Sequence, residues 1–424
     1  MNSRVVKFFW HARFGLWALA TVIALAELCA PVIAQRGSIT PFSDFVRNLS
    51  AARASEYVGH TAVQSTAAFE EMRDYLLGMY NGIVVTHSFA EDSVIFDCVP
   101  IFQQPSARGL TSIAKPPPNS PASLRQIANS ASIPSQCGSG TIPMRRMTIE
   151  EVTRYDNLED FLTKYGIPSA LQLLWHKYAI GGATLQNAGG LSELSIWAPH
   201  VSRGQTFSLS QQWYGAPINC PNPSRLSVNC QTVEVGWINF PQKLSPSQLS
   251  VLFIYFTTNN YRTGCYNLFC KGFVQTNNTV TLGGQFSNYS SPGGLQWTVD
   301  LAYQFYQGNW WLVVNDTYVG YYPGALFGAG PMASGAQRIE FGGETAGTTS
   351  FPPMGTGQPA SAGPQGAAYH NYIVYYNAKL STFNPTLISR STSACYSVTT
   401  NNCGSTDPNA SCQLLFGGAG GSKC

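Results

Sequence analysis

The sequence predicts a mainly β protein, an antiparallel β-sandwich preceded by a small α/β segment. Three observations carry that reading. After Pro168 the chain becomes a succession of apolar runs of roughly five to nine residues, cut by Gly, Pro and Asn, with no helical period between them. Charged residues make up only 11% of the chain, while Gly (40), Tyr (21) and Phe (23) are plentiful, a balance that suits many turns around a real apolar core. Before Pro168 the character differs: fourteen of the twenty-one acidic residues lie there, with helical periodicity.

Taken in order, the N-terminus reads as an export signal over residues 1–34. Arg4, Lys7 and Arg13 precede the apolar stretch Phe14–Ala26, and Val32-Ile-Ala34 offers a small-residue cleavage site before Gln35. Glu27 and Pro31 interrupt the apolar run, which favours cleavage over a membrane anchor, so no stable membrane partner is expected and the product is secreted and extracellular. Residues 35–168 form the second unit. In it Ala67–Met79 places Phe69, Met72, Leu76 and Met79 at helical spacing, Lys115–Ser135 is rich in Pro and Ser, and Ile149–Lys164 carries a short helical patch. Residues 169–424 form the sandwich with a Cys-rich tail. Strands are expected at His176–Ala183, Leu191–Trp197, Phe207–Trp213, Thr232–Phe240, Ser250–Thr257, Gly272–Thr276, Thr279–Phe286, Leu295–Gln304, Trp310–Val319, Gln337–Thr345 and Tyr369–Tyr376.

Several function classes are excluded early. A formal charge of +3 without a Lys/Arg cluster gives no footprint for nucleic acid. Eleven cysteines become an even ten once Cys29 leaves with the signal, which suits an oxidising compartment. Neighbours suggest pairs Cys98 with Cys137, Cys220 with Cys230 and Cys265 with Cys270, and Cys395, Cys403, Cys412 and Cys424 among themselves. No CxxC or HExxH spacing occurs, so neither a metal nor another cofactor is expected. Sequons at Asn48, Asn277, Asn288, Asn315 and Asn409 admit glycosylation in a eukaryotic host.

The chemistry concentrates in two short acidic motifs, Thr232-Val-Glu-Val-Gly-Trp237 and Ile339-Glu-Phe-Gly-Gly-Glu344. From Ser169 to Thr406 the acidic residues are only Glu193, Glu234, Asp300, Asp316, Glu340 and Glu344. A carboxylate in a half-buried strand loses hydration and persists only with a partner or a task. Two brought face to face would share a proton and act as acid and base together. Strand parity puts Glu234 with Gly236 and Ile238 on one face, and Val233, Val235 and Trp237 on the other. Glu340 and Glu344 share a face in a regular strand, whereas a bulge at Gly342-Gly343 would separate them, so parity alone does not choose between them.

Other nucleophile systems fare worse. The β region holds three histidines, His176, His200 and His370, and no GxSxG elbow. With every cysteine paired, a Cys-His nucleophile has no candidate. His176, amid Trp175 and Tyr178, reads as an ordinary strand histidine.

Taken together, these motifs resemble the neprosin family, secreted plant-type glutamic peptidases named after a prolyl endopeptidase. The resemblance runs from about Ser93 to Tyr376. Besides the two acidic motifs it rests on Phe207-Ser-Leu-Ser-Gln-Gln-Trp213, Thr263-Gly-Cys-Tyr-Asn-Leu-Phe-Cys270, Gly272-Phe-Val-Gln-Thr-Asn277, Gly308-Asn-Trp-Trp-Leu312 and Val319-Gly-Tyr-Tyr-Pro323. Asp97-Cys-Val and Cys137-Gly-Ser-Gly-Thr-Ile-Pro-Met-Arg-Arg146 are similar to the family's activation peptide. The resemblance implies a zymogen whose 35–168 segment acts as an intramolecular inhibitor, and a catalytic pair of Glu234 and Glu344. It also implies a short Cys265–Cys270 loop near the cleft, and proline as the residue preferred at the cut.

The expected activity is therefore a secreted acid endopeptidase on polypeptide substrates, with Gln211, Gln212, Trp237 and Tyr266 as candidate substrate-binding neighbours. Two other classes compete: a glycoside hydrolase, which also uses paired carboxylates, and a glycan- or peptide-binding sandwich without turnover. Acidic residues of the N-terminal segment, such as Glu150, Glu151, Asp156, Glu159 and Asp160, are expected to grip the weakly basic β domain at neutral pH and release it in acid.

Overall fold

The computed structural model describes residues 38–118, 129–164, 175–218, 229–407 and 410–424. The chain divides at Ile39, and every element below lies in the compact unit Thr40–Cys424. The expected signal segment and the expected boundary at residue 168 lie outside the described residues.

Among the described residues the fold is mainly β, with three antiparallel sheets. A small one, of β1 (His87–Glu91), β2 (Val94–Pro100) and β3 (Thr141–Arg145), belongs to the N-terminal segment. The first large sheet runs in the order β17 (Ile388–Ser391), β4 (Trp175–Asn187), β14 (Ala336–Gly347), β6 (Gln205–Ala216), β7 (Gln231–Asn239), β8 (Val251–Thr257) and β9 (Gly264–Tyr266). The second runs β10 (Val274–Gln275), β13 (Thr317–Pro323), β12 (Asn309–Val314), β11 (Thr298–Tyr306), β5 (Gly189–Ser195), β15 (Ala368–Tyr376), β19 (Gln413–Gly417) and β18 (Ser397–Asn401), with β16 (Thr382–Phe383) beside β15.

The two large sheets pack through alternate residues of their strands, as a sandwich requires. Tyr214 of β6 meets Tyr303 of β11 edge-on, with ring centres 6.0 Å apart. His370 of β15 is buried between the hydroxyls of Ser192 and Ser210, each 2.9 Å away, and burial holds its imidazole down at about 3. Central strands tolerate such polar groups only where each finds a partner across the interface.

Two expectations about strands need correction, and the tail adds strands of its own. Trp310–Val319 is not one strand but a hairpin: Asn315 and Asp316, at φ 45° and 63°, form the two-residue turn joining β12 to β13. Thr279–Phe286 is a loop, because Thr281 spends its N–H and hydroxyl on the carbonyls of Ile133 and Pro134 instead of a ladder. The Cys-rich tail contributes β17, β18 and β19, stapled by Cys395–Cys424 and Cys403–Cys412. The expected pairs Cys98–Cys137 and Cys265–Cys270 form. Cys230 is disulfide-bonded, while Cys220 lies outside the described residues.

The N-terminal segment touches both large sheets, reaching Glu234 and Glu344 of the seven-stranded one through Lys164 and Gln275 of the other through Gln104. Its helix Thr66–Tyr80 buries Phe69, Met72, Leu76 and Met79, the residues at helical spacing, and Ser65 caps it by accepting from Ala68 N–H. The patch at Ile149–Lys164 resolves into two short helices, Ile149–Val152 and Leu158–Leu162, capped by Thr148 and Asn157. A further helix, Phe42–Ala51, precedes them. Contacts to the sandwich are specific. Arg145 donates to the Leu244 carbonyl at 3.2 Å, and Phe161 stacks on Phe269 at 5.6 Å. Gln104 exchanges two hydrogen bonds with the backbone of Gln275, at 2.8 and 2.9 Å.

Close approach of β6 and β7 depends on one glycine. A Cβ on Gly236 would stand 1.9 Å from the Ser210 carbonyl oxygen and 2.7 Å from Gln211 Cα, both backbone atoms. Gly236→Ala is therefore expected to destabilise the fold by about 1–3 kcal/mol, read as a lowered melting temperature of the full-length protein. An unchanged melting temperature would mean that β6 and β7 separate freely.

Candidate active site

β6 lies between β7 and β14, and its register places the acidic motifs on one face. Trp213 pairs with Glu234 on one side and Glu340 on the other; Gln211 pairs with Gly236 and Gly342; Leu209 pairs with Ile238 and Glu344. Directly opposed residues share a face, so Glu234, Glu340, Gln211 and Glu344 all point to the outer side. No bulge interrupts β14 at Gly342-Gly343; its register with both neighbours is continuous from Arg338 to Ala346.

Both Glu234 and Glu344 are fully buried, and one cation from the N-terminal segment joins them. Lys164 Nζ stands 2.7 Å from Glu234 Oε2 and 2.9 Å from Glu344 Oε2. The rings of Trp213 and Tyr261 flank the ammonium at 5.4 and 5.8 Å. Burial alone would discharge Lys164, but the two carboxylates outweigh it and hold its pKa above the ordinary lysine value. Burial likewise opposes ionisation of Glu344, yet Lys164 and His176 together bring its carboxyl down to about 2. His176 Nδ1 lies 2.6 Å from Glu344 Oε1. On Glu234, Oε1 accepts from Thr232 Oγ1 at 2.9 Å and from Tyr261 Oη at 2.8 Å.

Glu340 has a different environment. It is engaged by Arg338 and, at 3.7 Å, by Arg390, at the mouth of a separate cavity of about 570 Å³. Burial raises its pKa, and those arginines only partly offset the rise. The two glutamates that sequence parity left equivalent thus differ by what faces them, two arginines in one case and a lysine-linked partner carboxylate in the other.

Among the other sequence candidates, Gln211 and Tyr266 lie on the outer side with the glutamates. The Gln211 amide is fully buried, has no hydrogen-bond partner among the described residues, and is flanked in register by two glycines. Tyr266 packs against Tyr255 at 4.9 Å. Gln212 and Trp237 do not line this face. Gln212 Nε2 donates to Ser192 Oγ at 2.7 Å and to the Leu301 carbonyl at 2.8 Å, and Trp237 Nε1 donates to the Ser195 carbonyl at 2.9 Å. Both fill the space between the sheets because odd and even positions of a strand point oppositely.

Sequence reasoning passed over Lys164, which only the fold brings to the glutamates, and Tyr261, which follows β8. It also set His176 aside as a strand residue; its pairing opposite Ala346, two residues from Glu344, is visible only with the register known. Among the described residues no cluster of His, Cys, Asp and Glu is placed to hold a metal ion, and no helix is long and apolar enough to cross a membrane.

Comparison with known proteins gives the chain a family. The family model described as Neprosin matches residues 204–419, just over half of the chain and including both acidic motifs. Among solved structures, two crystal structures of Scytalido-glutamic peptidase align, one with a peptide-based transition state analog and one with a transition state analog inhibitor. Each is 6% identical with a TM-score of 0.31, covering 57% of this chain and 97% or 98% of the other. Likeness that distant assigns no residue. The family match does the work of classification: the chain belongs to the Neprosin family and is a peptidase of the glutamic type.

Proposed function

We propose that this protein is a secreted acid endopeptidase in which Glu234 and Glu344 activate water, made as a zymogen whose 35–168 segment is the inhibitor. The observation that carries the reading is the Lys164 ammonium in contact with both buried carboxylates. A cation in that position satisfies two charges that would otherwise repel, and occupies the space a hydrolytic water needs. Once it leaves, two carboxylates that close hold one proton between them.

Catalysis then follows from that shared proton. The ionised carboxylate takes a proton from water while the water oxygen bonds to the peptide carbonyl carbon. The protonated carboxyl stabilises the oxyanion and passes its proton to the departing nitrogen as the C–N bond breaks. One proton has entered the pair and one has left, so the pair is restored. Gln211 supplies an amide donor that no described residue pairs, between the two glutamates and suited to the oxyanion. Thr232, Tyr261 and His176 orient the carboxylates. Export through residues 1–34 agrees with the disulfides, four of which join cysteines that are both described, and cleavage after proline is the specificity that the family resemblance suggests.

Two measurements test this. Incubating the full-length protein at acid pH with a denatured proline-rich substrate, and identifying the cuts by mass spectrometry, reads activity and specificity together. The pH profile of kcat/KM should be bell-shaped with an acidic optimum, because a like-charge neighbour lifts the second ionisation above the free glutamate value of about 4.3. A maximum near about pH 8 would assign the hydrolysis to another mechanism.

A further inference from the structure

The peptide unit between Thr163 and Lys164 is held at both ends by side chains of the sandwich. Lys243 Nζ donates to the Thr163 carbonyl at 3.0 Å, and Tyr255 Oη accepts from Lys164 N–H at 3.1 Å. Both side chains are buried and fixed in place. Tyr255, on β8, is braced by Tyr266 at 4.9 Å and Tyr261 at 6.0 Å. Lys243 lies in the turn after β7, with its ammonium over the rings of Phe240 and Tyr266 of the sandwich at 5.6 and 5.5 Å and of Tyr155 and Phe161 of the N-terminal segment at 4.8 and 5.7 Å. Its hydrogen bonds run to backbone carbonyls of the N-terminal segment, Thr163 and, at 3.5 Å, Asp160. A lysine and a tyrosine that grip one carbonyl and one N–H recognise main chain, whatever side chains it carries.

We propose that Lys243 and Tyr255 form a main-chain clamp for the polypeptide substrate, the subsite that the inhibitor segment borrows. The clamp rests on the proposed role of Glu234 and Glu344, because it is placed by reference to them. An extended lysine side chain spans about 6 Å, close to two residues of extended chain at about 3.3 Å each. With Lys164 Nζ between the glutamates and the Lys164 backbone in the clamp, the clamped peptide unit of a substrate lies about two residues from the bond being cut. The substrate residue whose N–H meets Tyr255 must own that N–H. Proline at this one position is rejected, whatever preference holds at the cut itself.

The test uses acid-activated full-length protein and one cleavable peptide, prepared as a series with a single backbone N-methyl group at each position in turn. In the wild type, N-methylation about two residues from the cut should lower kcat/KM by about 3–10-fold, the worth of one hydrogen bond. In Tyr255→Phe that position should become indifferent, while N-methylation elsewhere acts as before. Lys243→Met should lower kcat/KM by about 10–100-fold, as expected for a charged donor, with the cut site unchanged. Melting temperatures of the latent proteins report whether each variant is folded; Lys243→Arg, which keeps the charge, serves if Lys243→Met is not. An N-methyl profile identical in wild type and Tyr255→Phe overturns the clamp. So does a wild type with no peptide hydrolysis after activation. Should Glu234→Gln and Glu344→Gln retain turnover while Tyr255→Phe loses the position-specific effect, the glutamate pair falls and the clamp stands.

Discussion

Glu234→Gln and Glu344→Gln, each alone, are expected to lower kcat of the acid-activated protein by at least about 10²–10⁴-fold while leaving folding and export intact. Glutamine keeps the shape and the acceptor oxygen but cannot hold the shared proton, so both the base and the acid steps lose their group. The two losses should not add in the double variant, since one proton serves both residues. Glu340→Gln is the control. Its carboxylate is buried on the same face but engaged by Arg338 and Arg390, so its removal should cost turnover far less. Activity is measured on a peptide with a known cut, and the melting temperature confirms the fold. Two near wild-type single variants would end the case for the pair; a Glu340→Gln loss as large as that of Glu344→Gln would return the choice between those residues to where parity left it.

The parts of this molecule legible in the sequence are those set by local period. Alternation along Thr232–Phe240 and Gln337–Thr345 gave the strands and the faces of Glu234 and Trp237, and helical spacing gave the buried face of Thr66–Tyr80. What was hidden depends on long-range pairing. Asn315-Asp316 could have been read as a hairpin turn, since adjacent positive-φ residues favour Asn and Asp; the apolar residues on both sides masked it. Gln211 and Gln212 were indistinguishable as neighbours in a motif, although a strand must send one outwards and the other into the sandwich. Lys164 is 70 residues from Glu234 and 180 from Glu344 in the chain. No periodicity reports such a contact. The composition break near Pro168 marked the segment that supplies it and drew attention to its acidic residues, of which Glu91 and Asp92 accept hydrogen bonds from Gln285 of the β domain, but gave no sign of the lysine.

Replacing Lys164 with methionine in the full-length chain is expected to abolish latency at mildly acidic pH. Among the described residues none of the five acidic residues named first forms a salt bridge to the β domain, although the Lys243 charge acts on the Asp160 carboxyl. Among the described residues Glu151 pairs with Arg145 of its own segment, Glu150 accepts from Tyr57, Asp160 accepts from Asn157, and neither Asp156 nor Glu159 forms a salt bridge. Among the described residues the buried ion contacts between the N-terminal segment and the β domain are those of Lys164 with Glu234 and Glu344, and removing one member of a buried pair costs about 3–5 kcal/mol by leaving its partner uncompensated. The direction with pH follows from the two shifts. Lys164 is raised above its ordinary value, so its contribution is complete throughout the acid range and is lost only as pH climbs through that raised value. Glu344 is depressed to about 2, so its contribution is complete above the free glutamate value of about 4.3 and is lost as pH falls towards about 2. Wild-type latency should therefore hold at pH 7, weaken below about pH 4, and fail near pH 2. In Lys164→Met the glutamates can hold one proton between them without a cation, and the uncleaved chain should be active at about pH 5, where the wild type is silent. Stepwise acidification, with activity followed beside gel electrophoresis and N-terminal sequencing, separates release from cleavage. A variant that stays as silent as the wild type at pH 5, and activates over the same pH range, would remove Lys164 from the inhibition; a wild type fully active at neutral pH would remove the inhibition itself.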